Sequence, residues 1–196
     1  VNNTTFSQQS RESTLKKLMR INFLKRLESS VDSFRITLGR FADNIQKNID
    51  AIEEFERTGV APTTSATVFN DDDIDEDAYD TDSFDNEFTH SIGDKIQINI
   101  ADMDTLGWKE DLQADLTVAR RLLVELQRVT PEHDEKLNDL KRTIDDKIKN
   151  PINANNKKVI VFSAFADTAN YLYENLAQWL HDEHGLYAAN ITEYNN

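Results

Sequence analysis

The chain has 196 residues, 38% hydrophobic and 30% charged, with no cysteine and a formal net charge of −14. That length holds one domain or one and a half, and the lack of cysteine excludes a disulfide framework and a thiolate metal site. No apolar run in the sequence approaches the roughly 18 residues of a membrane span and no signal-peptide pattern opens it, so the expectation is a soluble cytoplasmic protein without a membrane partner. The acid is unevenly spread. Between Arg57 and Lys95 there is no Lys or Arg, and eleven acids fall in that gap; without them the balance is −3. The remainder is therefore not acidic enough to exclude a polyanion as partner.

Taken in order, residues 1–9 are polar, and Ser10 or Ser13 offers a helix cap. Leu24, Leu27, Val31, Phe34, Leu38, Phe41 and Ile45 follow at alternating steps of three and four, a heptad seam. Leu15, Leu18, Met19 and Phe23 extend it backward, and Ile49, Ile52 and Phe55 carry it on. The pattern predicts one long basic helix of roughly forty residues, or a tightly broken pair, within 1–60. Gly39 is its only interior weak point, and Thr58-Gly59 and Pro62 end it. Nine Lys or Arg lie between Arg11 and Lys47, which makes either a solvated face or a surface for nucleic-acid phosphates.

Residues 61–95 form an acidic insert too poor in apolar side chains to order itself. Asp71, Asp73 and Asp75 alternate as calcium ligands do, but Glu76 stands where a calcium loop needs Gly and Asp82 where it needs Glu. Shielding of a basic groove is the other role open to the insert. Residues 95–100 alternate strictly, as a short strand or an extended strap would. A helical pair is predicted within 96–150, packing on the first helix. Its first member carries Trp108, Leu112, Leu116, Ala119, Leu122, Leu123 and Leu126. Its second carries Leu137, Leu140, Ile144 and Ile148, with Thr130 as N-cap and Pro131 at the first helical position.

After an Asn-rich linker, residues 159–162 form a short, largely β-branched apolar run, the pattern of a strand buried in a parallel sheet. A helix follows with Ala169, Leu172, Leu176 and Leu180 on its inner face and His184-Gly185 at its end. Residues 186–189 read as a second strand. Residues 157–196 thus predict a truncated β-α-β unit, and the fold class is mainly α with a small α/β part. The chain opens on Val1 and stops at Asn196 just after that strand, so a piece of a larger protein is expected.

No catalytic constellation emerges. None of the five glycines is followed by Lys, which rules out a phosphate loop within the chain. His181 and His184 have a metal-compatible spacing but no evident third ligand. Ser163 follows the expected strand without the glycines of a nucleophile elbow.

Three stretches resemble one family. Leu24-Lys25-Arg26-Leu27-Glu28-Ser29-Ser30 with Phe34 resembles the entry to the second motor domain of bacterial Swi/Snf-type superfamily 2 helicases. Asp134-Glu135-Lys136-Leu137 through Leu140 resembles the helix just before that domain, and 157–172 resembles its first strand and helix, motif IV. The resemblance implies an inter-domain helical protrusion followed by the start of a RecA-like domain. It implies a parent protein that uses ATP and magnesium and acts on nucleic acid, most simply DNA, with the N-terminal motor domain as neighbour. The ATP-handling motifs would lie outside this chain, which is expected to be inactive alone and to hold no cofactor itself. By the same resemblance Ser163, Phe165 and Thr168 would approach the nucleic-acid backbone; Lys25 and Arg26 join them as candidates from the basic helix. The residues alone leave a simpler reading: Phe165 packs, and Ser163 or Asp167 caps the helix. The competing function is a non-enzymatic helical interaction module that dimerises through the heptad seam or through an open sheet edge.

Overall fold

The computed structural model describes residues 8–60 and 104–192, with side chains from Lys16 onward. The described part is mainly helical. It consists of α1 (Gln8–Ser29), α2 (Val31–Thr58), α3 (Thr105–Leu126), a 3-10 turn (Pro131–His133), α4 (Glu135–Lys149) and α5 (Ala166–His184). The acidic insert, with its calcium and shielding readings, and the alternating stretch at 95–100 lie outside the described residues. No helix among them is long and apolar enough to cross a membrane.

The expected long helix is a broken pair, and the break falls at Ser30 rather than at Gly39. Ser30 is extended (φ −156°, ψ 152°), and its side chain accepts the backbone N–H of Ser33, capping α2. The turn there is sharp. Phe23 on α1 meets both Phe34 and Phe41 of α2 edge-on, with ring centroids 6.0 and 5.5 Å apart, which is possible only if α1 folds back over the first turns of α2. At its far end α2 stops as predicted, with Gly59 left-handed (φ 67°) and its N–H on the carbonyl of Phe55. Ser10 and Ser13 lie inside α1 and do not precede it.

Two separate apolar clusters form. In the first, Leu38, Ala42, Ile45, Ile49 and Ile52 of α2 pack on Leu112, Leu116 and Ala119 of α3. Lys109 at the start of α3 pairs with Glu53 and Glu56 near the end of α2, and Arg120 reaches Gln46, so the two helices are antiparallel. In the second cluster, Leu137, Ile144 and Ile148 of α4 pack on Leu176 of α5. Of the expected pair on the first helix, only α3 therefore packs there. The apolar stripe of α4 is turned to α5, where it meets Leu172, Leu176 and Leu180 with Tyr171 and Trp179 beside them. The N-cap of α4 is Asp134, whose carboxylate accepts Leu137 N–H at 3.1 Å; Thr130 precedes only the 3-10 turn.

Helices α4 and α5 run in the same direction, since Tyr171 near the start of α5 bonds Asp134, and His184 at its end lies 3.6 Å from Asp145. Residues 150–165 must therefore travel back along the pair. A turn at Asn153–Asn156 begins this, with Asn155 in the left-handed region (φ 65°) that Asn tolerates. Beyond α5, the Asn190 amide bonds Asn170 at 2.6 Å. Helical residues 170–184 span about 21 Å, and six residues return that distance only if almost fully extended, at about 20 Å.

No strand is present among the described residues, so the predicted β-α-β unit is not formed as a paired sheet. The expected buried strand is open to solvent: Ile160 is 77% and Phe162 89% exposed. An extended segment becomes a strand only when a neighbour pairs its backbone N–H and C=O groups, and no described segment does so here.

Candidate functional site

The corner between α1 and α2 is where distant parts of the chain meet, and it is built mostly from polar side chains. Arg26, in the last turn of α1, is 1% exposed. Its Nη1 donates to Asp167 Oδ2 on the first turn of α5 at 3.0 Å and lies 3.4 Å from Ser33 Oγ on α2. Its guanidinium sits 4.6 Å from the centre of the Phe165 ring, a cation–π contact in a nearly dry setting. Arg40, half-exposed on α2, lies 4.0 Å from the same Asp167 carboxylate.

Beside this ion pair runs a hydroxyl cluster. Thr168 Oγ1 lies 2.8 Å from Ser29 Oγ and 3.1 Å from Ser30 Oγ, so α5 is bonded to the last residue of α1 and to the break residue itself. Lys136 of α4 donates to the carbonyl of Glu28. Tyr171 donates to Asp134 Oδ2 at 2.9 Å while the other carboxylate oxygen caps α4. Burial first, and the hydrogen bond to Asp134 second, push the Tyr171 phenol well above its usual pKa. These groups border a cleft of about 340 Å³ lined by Ser29, Ser30, Lys136, Leu140, Ser163 and Tyr171 among others.

The energetics are lopsided. Arg26 has no route to water, whereas Asp167 is 22% exposed. Removing the carboxylate leaves a buried cation short of its partner, a change that costs about 3–5 kcal/mol in comparable settings, while removing the cation leaves a carboxylate that water reaches.

The five residues singled out from the sequence part ways here. Arg26, Phe165 and Thr168 come together, each 5% exposed or less, with Arg26 Nη1 and Thr168 Oγ1 bonded within the chain. Ser163 is exposed, and its Oγ accepts the N–H of Phe165, so it organises the turn into α5. Asp167 does not cap α5 but serves the ion pair. Lys25 is exposed beside buried Arg26, as adjacent helical positions about 100° apart require. Lys16, Lys17 and Arg20 are exposed on the same helix. The roles of Ser29, Ser30, Asp134 and Tyr171 were not legible from spacing, because each bonds across a sequence gap or caps a turn that no periodicity marks.

Among the described residues no group of three His, Asp or Glu side chains is arranged to hold a metal ion. His181 and His184 diverge. His181 faces Asp182 and the ring of Tyr187, and His184 stacks edge-on with Trp179. No family profile, curated protein or solved structure matches the chain.

Proposed function

We propose that the chain is a piece of an ATP-dependent DNA or RNA helicase or translocase of the Swi/Snf-type superfamily 2 kind: a helical protrusion followed by the start of the second RecA-like domain. The observation that carries this reading is the convergence of its three family-like stretches. The Leu24–Ser30 run, the Asp134–Leu140 helix and the turn at Ser163–Thr168 meet at one junction, although up to 141 residues separate the partners. The path of the chain around α5 also favours it. Parallel α4 and α5, each followed by a segment that travels back, is the winding of an α/β layer from which neighbouring strands are missing. In this role the chain positions and braces, and the exposed cations Lys16, Lys17, Arg20 and Lys25 of α1 supply phosphate contacts. ATP and magnesium would be handled by other parts of the parent protein, with the N-terminal motor domain as neighbour.

The test is fluorescence anisotropy of labelled single-stranded and duplex oligonucleotides titrated with the chain over a range of salt. Binding should appear at low salt and weaken steadily as salt rises, Lys25→Glu should weaken it further, and the chain alone should turn over no ATP. Binding that is absent at low salt, or indifferent to salt, removes the phosphate-contact role. ATP hydrolysis that co-purifies with the chain through successive columns removes the division of labour.

A second reading rests on a different observation. The start of the heptad seam is open: Leu24 and Leu27 are 55% and 41% exposed, and Ile21 on the same helix is 49% exposed. A non-enzymatic module that pairs through this stripe would be a concentration-dependent dimer by light scattering, and Leu24→Glu would make it monomeric. A chain that stays monomeric at all concentrations excludes that module.

A further inference from the structure

The break between α1 and α2 is a single residue, and three side chains around it are tied to α5. Ser29 and Ser30 share the Thr168 hydroxyl. Arg26 spans the break, reaching Ser33 on α2 and Asp167 on α5 from its place on α1. Without α5, the extended Ser30 would still be held by its capping bond to Ser33, by its backbone bonds to Arg26 and Phe34, by the reach of Arg26 to Ser33 and by the Phe23 contacts, but nothing outside the two helices would fix their angle through the Thr168 hydroxyl or the Asp167 carboxylate. A one-residue joint between two stiff helices needs only one φ/ψ pair to change for a large swing of the outer helix. We infer that the Ser30 corner is a latched hinge, and that the first turn of α5 is the latch that sets the angle between α1 and α2.

The latch is specific in chemistry. Thr168 supplies one hydroxyl oxygen to the end of α1 and to the joint residue itself, and Asp167 supplies the charge that holds Arg26 in place. Because the coupling is a free energy shared by both parts, it works in both directions: shifting the turn at 163–168 releases α1, and swinging α1 loosens α5. The inference holds whichever reading of function is correct. If the chain is part of a motor, it links the position of the second motor domain to the direction of the protrusion.

The chain has no native cysteine, so two engineered ones label cleanly. Spin labels at Lys17→Cys on α1 and Lys47→Cys on α2, both exposed and away from the corner, report the angle as a distance distribution by double electron–electron resonance. The native background should give one narrow peak. Thr168→Val, which keeps the side-chain shape, and Asp167→Asn, which keeps its size, should each broaden the peak, and together at least double its width, while circular dichroism shows unchanged helix content. Asp167→Asn carries the result if Thr168→Val does not fold. A peak that stays narrow in folded variants shows that the contacts between α1 and α2 themselves set the angle and overturns the latch. A broad peak in the native background overturns it equally.

Discussion

At the scale of single residues, Tyr171 and Asp134 give the junction a dependence on pH. Asp134 is nearly buried and divides its carboxylate between the cap of α4 and the Tyr171 hydroxyl. Folding thus favours the neutral phenol, which is why its pKa is raised. The stabilisation is complete below the unfolded phenol's pKa of about 10 and is lost as the pH rises through the higher folded value. Tyr171→Phe should lower stability near neutral pH by about 1 kcal/mol, because one oxygen of Asp134 loses its donor. The variant should also show a shallower loss of stability above about pH 10 than the native chain, since one tyrosine no longer resists ionisation. Urea unfolding followed across alkaline pH measures both effects. Parallel alkaline slopes in the two proteins would mean that Tyr171 is not the group being titrated.

At the scale of elements, the sequence is most readable where structure is local. The Gly ends of α2 and α5 and the inner faces of α3, α4 and α5 follow from period and capping chemistry, and the structure has them except at Leu122 of α3, which is 41% exposed. Ser30 escapes notice because the heptad steps run through it without a pause: Leu27, Val31 and Phe34 keep their spacing across the break. Ser30 caps α2 locally through the Ser33 N–H, and bonds from Thr168 and Asp167, 138 to 141 residues away, hold the corner, neither of which the heptad period marks. The apolar run at 159–162 is the opposite case. Its composition fits a buried strand, but a strand also requires partners, and its side chains are exposed where no neighbour pairs with them. Gly39, the expected weak point, is a continuous part of α2 with open space where a Cβ would be. Gly39→Ala should therefore raise stability by about 0.5–1 kcal/mol through helix propensity alone. A fall in the urea midpoint would instead reveal that something packs closely on that face.

At the scale of the whole molecule, the two apolar clusters share no buried side chain, and polar contacts at the Ser30 corner supply much of what joins them. Such contacts add modestly to stability, so the α2–α3 half and the α4–α5 half can come apart without either losing its own core. The chain carries its own reporters for this. Its two tryptophans are divided between the clusters, with Trp108 packed against the first and Trp179 against the second. In single-tryptophan variants, Trp179→Phe leaves fluorescence that follows the first half, and Trp108→Phe leaves fluorescence that follows the second. Ile45→Ala, which opens a cavity worth about 2–5 kcal/mol in the first core, should move the Trp108 transition in urea far more than the Trp179 transition. Leu137→Ala should do the reverse. Adding Asp167→Asn should separate the two transitions further, because it weakens the junction while leaving both cores filled. Transitions that stay superimposed through all of these changes would show that the polar corner makes the molecule one cooperative unit, with a coupling stronger than either cavity can break.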